Sequence, residues 1–122
     1  KSKQLNKGID QLMDEGVAQL FTSTYNGRKI VGVVGQLQLE VIEYRLLHEY
    51  GAQCRWEPVP FYKAVWFVSE NPEQMNDFKR RKERQLAKDK WGRDVFLPES
   101  AYELDMAREK FTDIRFYFTS EF

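Results

Sequence analysis

Several short patterns in this chain invite a chemical reading, and each falls short in residue type or spacing. A phosphate-cradling loop needs small residues, so that backbone amides can reach the anion, then a lysine and a hydroxyl for phosphate and metal. Gly32-Val33-Val34-Gly35 supplies the glycines, but Gln36 follows and neither lysine nor hydroxyl is present. It reads as a tight turn from strand to helix. The two valines also lack the charge that an RNA-gripping GxxG loop would use. Asn6-Lys7-Gly8-Ile9-Asp10 is one residue longer than the guanine-reading N-K-x-D pattern, and its Ile9 belongs to a helical apolar stripe. Glu40 and Glu43, at i and i+3, have a spacing that can raise one carboxyl pKa for acid–base work, but it is also the spacing of a solvated helix face. His48 has no nucleophile near it in sequence and stands where a helix C-terminus favours it. Cys54 lies beside Arg55, which would lower its pKa, although a lone cysteine in a strand pattern is ordinarily a small buried side chain. One histidine and one cysteine exclude the common zinc ligand sets. Catalytic, cofactor-binding and metal residues are therefore all read as none.

Charge is more informative in its distribution than in its sum. The chain carries 19 basic and 19 acidic side chains. The window from Lys79 to Arg93 holds eight basic residues, Lys79, Arg80, Arg81, Lys82, Arg84, Lys88, Lys90 and Arg93, against Glu83 and Asp89, a net +6 balanced by −6 elsewhere. On a helical wheel Met75, Phe78 and Leu86 define one face, and Arg80, Arg81, Arg84 and Lys88 gather near the other. This predicts a solvent-facing basic stripe, either a plain solvated surface or a contact for phosphates whose affinity falls with salt. An autonomous RNA-binding module using a basic helix over 79–93 is the alternative function this stripe suggests.

The elements that must position these residues follow from composition and pattern. With 122 residues, 42% hydrophobic and 15% aromatic, the chain can bury an ordinary core without staples. No membrane span or leader is expected, and a lone Cys54 suits a reducing cytoplasm. Opening at Lys1, without methionine and directly in a helical pattern, the chain reads as a piece of a longer protein. Leu5, Ile9, Leu12 and Met13 predict a helix over Lys3–Glu15 stopped at Gly16. Val17–Thr24 and Lys29–Val34 predict a hairpin around Asn26-Gly27. A helix from about Gln36 to Tyr50 carries so broad an apolar arc that it is expected to be the most buried one. Strands are predicted at Gln53–Glu57 and Tyr62–Ser69, separated by Pro58 and Pro60. Asn71 and Pro72 open a helix running to about Lys88 and stopped near Gly92. Short strands at Asp94–Leu97 and Ile114–Phe118 then enclose a helix that begins with the capping box Ser100-Ala101-Tyr102-Glu103. The expected fold is a single α+β domain over 1–122. Its core is a four-stranded split βαβ sheet, ferredoxin-like, within residues 1–70, and residues 71–122 form an α/β extension packed on it.

Gln4-Leu5-Asn6-Lys7-Gly8, the run from Asp14 to Phe21 and the run from Val31 to Ile42 together resemble the C-terminal domain of bacterial peptide chain release factor 3. Tyr44-Arg45-Leu46, Glu49-Tyr50-Gly51, Glu57-Pro58, Gln85-Leu86-Ala87, Val95-Phe96-Leu97 and Ile114-Arg115-Phe116 extend the likeness over essentially the whole chain. Gly35-Gln36-Leu37-Gln38-Leu39-Glu40 is also similar to the third domain of elongation factor G. The chain departs from the family's pattern at Val65, where arginine is expected. The resemblance implies a non-catalytic part of a translational GTPase. It would contact the small ribosomal subunit, both protein and ribosomal RNA, pack against the preceding domains of its own factor, and couple the GTPase cycle to dissociation of class I release factors. GTP and Mg would belong to the parent protein, with no cofactor in this segment, no membrane partner and a cytoplasmic setting. Arg80, Arg81, Arg84 and Lys88 are the candidate ribosome or RNA contacts.

Overall fold

Leu5, Ile9, Leu12 and Met13 stripe one side of helix α1 (Ser2–Asp14), which ends where Gly16 turns to φ +80° and donates its amide to the Met13 carbonyl. The structure, a computed structural model, describes residues 2–16, 18–33 and 35–118. The expected strand ends at Val17 and Val34, with the Val34 position of the Gly32–Gly35 turn, lie outside them. Strands β1 (Gln19–Ser23) and β2 (Lys29–Gly32) form the predicted hairpin, whose turn places Gly27 at φ +74°. Within the turn the Ser23 hydroxyl accepts the Tyr25 and Asn26 amides, and Asn26 Oδ1 accepts the Arg28 amide. Helix α2 (Gln36–Tyr50) ends at a left-handed Gly51, which lets the amides of Gly51 and Ala52 donate to the Leu47 and Leu46 carbonyls.

The described chain divides into two compact units, residues 1–20 with 31–58, and residues 21–30 with 59–122. Chain connectivity therefore crosses between them three times, after residues 20, 30 and 58. The first unit has a core of Ile9, Leu12, Met13, Leu20, Ile42 and Leu46, with Leu5, Ala18, Val31, Val33, Tyr50, Cys54 and Trp56 packed against it. At Gly8 helix α1 lies close against α2. A Cβ there would lie 2.6 Å from Leu46 Cδ2 and 3.0 Å from the Tyr50 ring. Arg45 braces this unit, donating from Nη1 to Glu15 at 2.7 Å and from Nε to Glu49 at 2.7 Å. No strand forms at Gln53–Glu57. Cys54 and Trp56 turn into the helical cluster, and the nearby prolines withhold the amides a ladder would use.

Contrary to the expected breadth of its buried face, α2 buries only Ile42 and Leu46 completely and leaves Leu37, Val41, Tyr44 and Leu47 exposed. The wheel shows how much of the helix is apolar, but the core of this unit fully buries only the sector of Ile42 and Leu46.

In the second unit, β3 (Val65–Ser69), α3 (Pro72–Arg81), β4 (Leu86–Asp89), β5 (Asp94–Phe96), α4 (Ala101–Lys110) and β6 (Ile114–Tyr117) follow one another as βαββαβ. The antiparallel sheet runs β2-β1-β4-β5-β3-β6, so its last four strands have the ferredoxin-like order. The split βαβ unit thus exists, but over 65–117 rather than within 1–70. It cannot be divided at residue 70, because β3 pairs with β5 and β6 on its two sides. Alternate residues go to opposite faces. Val65, Phe67, Phe78, Leu86, Phe96, Leu104, Ala107, Phe111 and Ile114 form one core, and Phe21, Trp66, Ala87, Val95 and Leu97 form another. Phe78 from α3 makes edge-on contacts with Phe67, Phe96, Phe111 and Phe116, at centroid distances of 4.9 to 5.7 Å. Val65, where arginine was expected, is fully buried in the first of these cores, a place that suits valine and would cost an unpaired cation dearly.

Helix α3 begins as predicted, with the Asn71 side chain accepting the Glu73 and Gln74 amides and Pro72 in the first turn. It does not reach Lys88. It ends at Arg81, a 3-10 turn follows over Glu83–Gln85, and Leu86–Asp89 is the strand β4. Residues 82–88 favour helix by composition, but β1 and β5 offer hydrogen-bonding edges on both sides of β4, and Leu86 and Ala87 enter opposite cores. Tertiary pairing overrides a local preference worth only fractions of a kcal/mol per residue.

Candidate functional site

The four basic candidates do not form one stripe. Arg80 and Arg81 lie in the last turn of α3, Arg84 in the 3-10 turn and Lys88 on β4. The helix over 79–93 that the RNA-binding alternative required is absent, since only its first three residues are α-helical. Most of the +6 window is also neutralised locally. Asp77 accepts from Arg80 and, at 3.0 Å, from Arg81. Asp94 takes Lys88 at 2.6 Å and Lys79 at 3.4 Å, and Glu103 takes Lys82 at 2.7 Å. The Arg80 and Arg81 guanidiniums hold the Asp77 carboxyl below the usual carboxylate range. Arg84 lies over the ring of Tyr25, 5.2 Å from its centroid.

Two carboxylates, one half-buried and one buried, organise the second unit. Glu103 carries out half of the expected capping box: its amide donates to Ser100 Oγ at 3.0 Å, but its carboxylate reaches the Glu99 amide, one residue before the cap. The same carboxylate accepts from Lys82 and Gln85. Burial pushes its pKa up, but these donors outweigh that and hold it below normal.

Asp89, at the end of β4, is 8% exposed. Its Oδ1 accepts the amides of Trp91 and Arg93, both at 2.9 Å, and its Oδ2 accepts Trp66 Nε1 at 2.9 Å and Arg93 Nε at 3.0 Å. Burial again opposes ionisation, and the Arg93 amide, the Trp66 indole, the Trp91 amide and the Arg93 guanidinium together hold the carboxyl below its ordinary value. The result is a fixed β4–β5 turn with Gly92 at φ +82°. At its tip Trp91 is 64% exposed, with Lys90 Nζ and the Arg93 guanidinium 4.6 and 4.8 Å from its ring centroid. The sequence reading missed this turn. Asp89 and Gly92 at the first and fourth positions are its signal, just past a helix expected to run to about Lys88 and stop near Gly92.

The residues first weighed for catalysis stay apart. Glu40 and Glu43 are exposed on α2, and His48 packs its ring 4.1 Å from Tyr44 on the same helix. Arg55 does not activate Cys54, whose thiol is pushed up by burial and by the Glu43 carboxylate, away from a reactive thiolate. An open pocket of about 570 Å³ lies beside the start of α3, lined by Ser69, Asn71 and Asp113 among others. Those polar groups brace one another: Ser69 Oγ donates to the Asp113 carbonyl, Asn71 Nδ2 to Asp113 Oδ2, and the Asp113 amide to Gln74 Oε1. Among the described residues, no group of three or more His, Cys, Asp or Glu side chains is placed to hold a metal, and no helix is long and apolar enough to cross a membrane. Compared with known families, residues 1–108 match the one described as Class II release factor RF3, C-terminal domain. The match takes in every element through most of α4.

Proposed function

The chain belongs to the class II release factor RF3 C-terminal domain family, and from that membership we propose that it is the docking and coupling part of a translational GTPase acting in translation termination. The family match over residues 1–108 carries this reading. The clusters around Asp89 and Glu103 suit it, because they hold a turn and a helix start in fixed geometry. On this account GTP and Mg²⁺ are held by preceding domains, and this segment needs no cofactor of its own. Its work is done in the cytoplasm. It engages the small ribosomal subunit while packing on the domains before it, and dissociation of class I release factors is the outcome it helps to drive. A nucleotide can act through such a domain only if the two nucleotide states make different contacts with it. The exposed apolar row Leu37, Val41, Tyr44 and Leu47 on α2 is suited to meet the preceding domains. Arg80, Arg81, Arg84 and Lys88 are retained as ribosome-contact candidates, now as separate points.

The test is GTP-dependent recycling of class I release factors by the intact factor with and without this segment. Loss of recycling with GTP binding preserved is expected, and unchanged recycling would sink the proposal. In the same assay, reversing Arg80, Arg84 and Lys88 is expected to weaken ribosome binding and flatten its salt dependence. Unaltered binding would remove those three from the account.

A further inference from the structure

We propose that the β4–β5 turn, Lys90-Trp91-Gly92-Arg93, is a stacking contact for an unpaired RNA base, with Trp91 as the platform and Lys90 and Arg93 facing the adjoining phosphates. The inference rests on the ribosome-docking reading and names a point of contact for it. It is separate from the discarded basic helix, because its geometry comes from a hairpin and its central residue is aromatic.

Three observations carry it. First, Trp91 keeps 64% of its surface exposed, whereas Trp66 is 2% exposed. Second, the backbone that carries the indole is fixed. Asp89, itself buried, fixes the Trp91 and Arg93 amides and the Arg93 guanidinium, and the Gly92 amide closes the turn on the Asp89 carbonyl at 3.0 Å. A turn fixed in this way is preorganised, and a preorganised contact loses less entropy on binding. Third, both cations lie within 5 Å of the ring centroid, so anything meeting the indole also meets Lys90 and the outer side of the Arg93 guanidinium, whose Nε is held by Asp89. A partner with a flat π-face joined to anions satisfies both, and a nucleotide in a single strand is such a partner. A duplex hides its faces within the stack, which is why the inference specifies an unpaired base.

The experiment titrates the chain, at low salt, with an unstructured 12-nucleotide RNA and with a duplex of equal length, following tryptophan fluorescence, and in parallel measures co-sedimentation with small ribosomal subunits. The single strand is expected to quench the wild type but not Trp91→Ala. Trp91→Ala is also expected to weaken oligonucleotide binding ~5-fold or more, Trp91→Tyr to retain most of it, and Lys90→Glu with Arg93→Glu to weaken it and lower the salt slope. Trp91 is exposed, so its variants should keep the wild-type melting temperature, which verifies that a loss is not unfolding. Equal quenching by the duplex, quenching that survives Trp91→Ala, or no quenching at all would overturn the inference. Subunit binding unaffected by Trp91→Ala, with no Trp91-dependent quenching, would overturn it while leaving the docking proposal standing. Trp91-dependent quenching without subunit binding would uphold the stacking site and count against the docking proposal.

Discussion

Asp89 shows what one side chain can decide. Its two oxygens receive four donors from one strand and a turn, and Asp89→Asn would turn an NH₂ toward donors that need an acceptor. The expected cost is ~1–3 kcal/mol of stability for leaving buried donors unsatisfied, read from denaturant unfolding. Because the folded state depresses this carboxyl's pKa, its contribution is fully present above the unfolded value of about 4 and is lost as pH falls through the depressed folded value. Wild-type stability should therefore decline below about pH 4, and the Asn variant should decline less steeply there. Equal slopes would remove Asp89 from the acid response. The anchor was hard to see in the sequence because its partner Trp66 lies in a distant predicted strand, and the local signal, Asp89 with Gly92, falls in the gap between a helix expected to end near Lys88 and a strand expected from Asp94.

For whole elements, ends were more legible than faces. Asn71-Pro72 and Gly51 each act through atoms within a few residues, so their roles could be read directly. The strand β4 could not, because its extended state is imposed by β1 and β5 from distant parts of the chain. Likewise the periodicity of α2 marked an apolar helix but not which sector would find a partner. This yields a sharp contrast. Leu46→Ala should cost ~2–5 kcal/mol, since Leu46 is fully buried among α1 residues. Leu37→Lys and Tyr44→Lys on the exposed side should change stability by no more than ~0.5 kcal/mol. Comparable losses on both sides of α2, measured by thermal unfolding, would show that its outer face is covered in the folded chain.

For the whole chain, α+β character and a split βαβ sheet were foreseeable from alternating strand and helix signals, but the location of that sheet was not. Pairing partners are a property of topology, and the expected cut at residue 70 would run through it. A fragment beginning at Glu70 loses β3, whose Val65, Trp66 and Phe67 serve both cores of the second unit. Such a fragment is expected to lack a cooperative thermal transition and a near-ultraviolet circular dichroism signal, and a sharp transition would contradict the strand order. The three covalent crossings between the compact units have a mechanical consequence as well. Two beads joined by one tether pass every tug through that tether, and a protease that cuts it once frees them. Here a tug on either bead is divided among three tethers, and one cut leaves two of them whole.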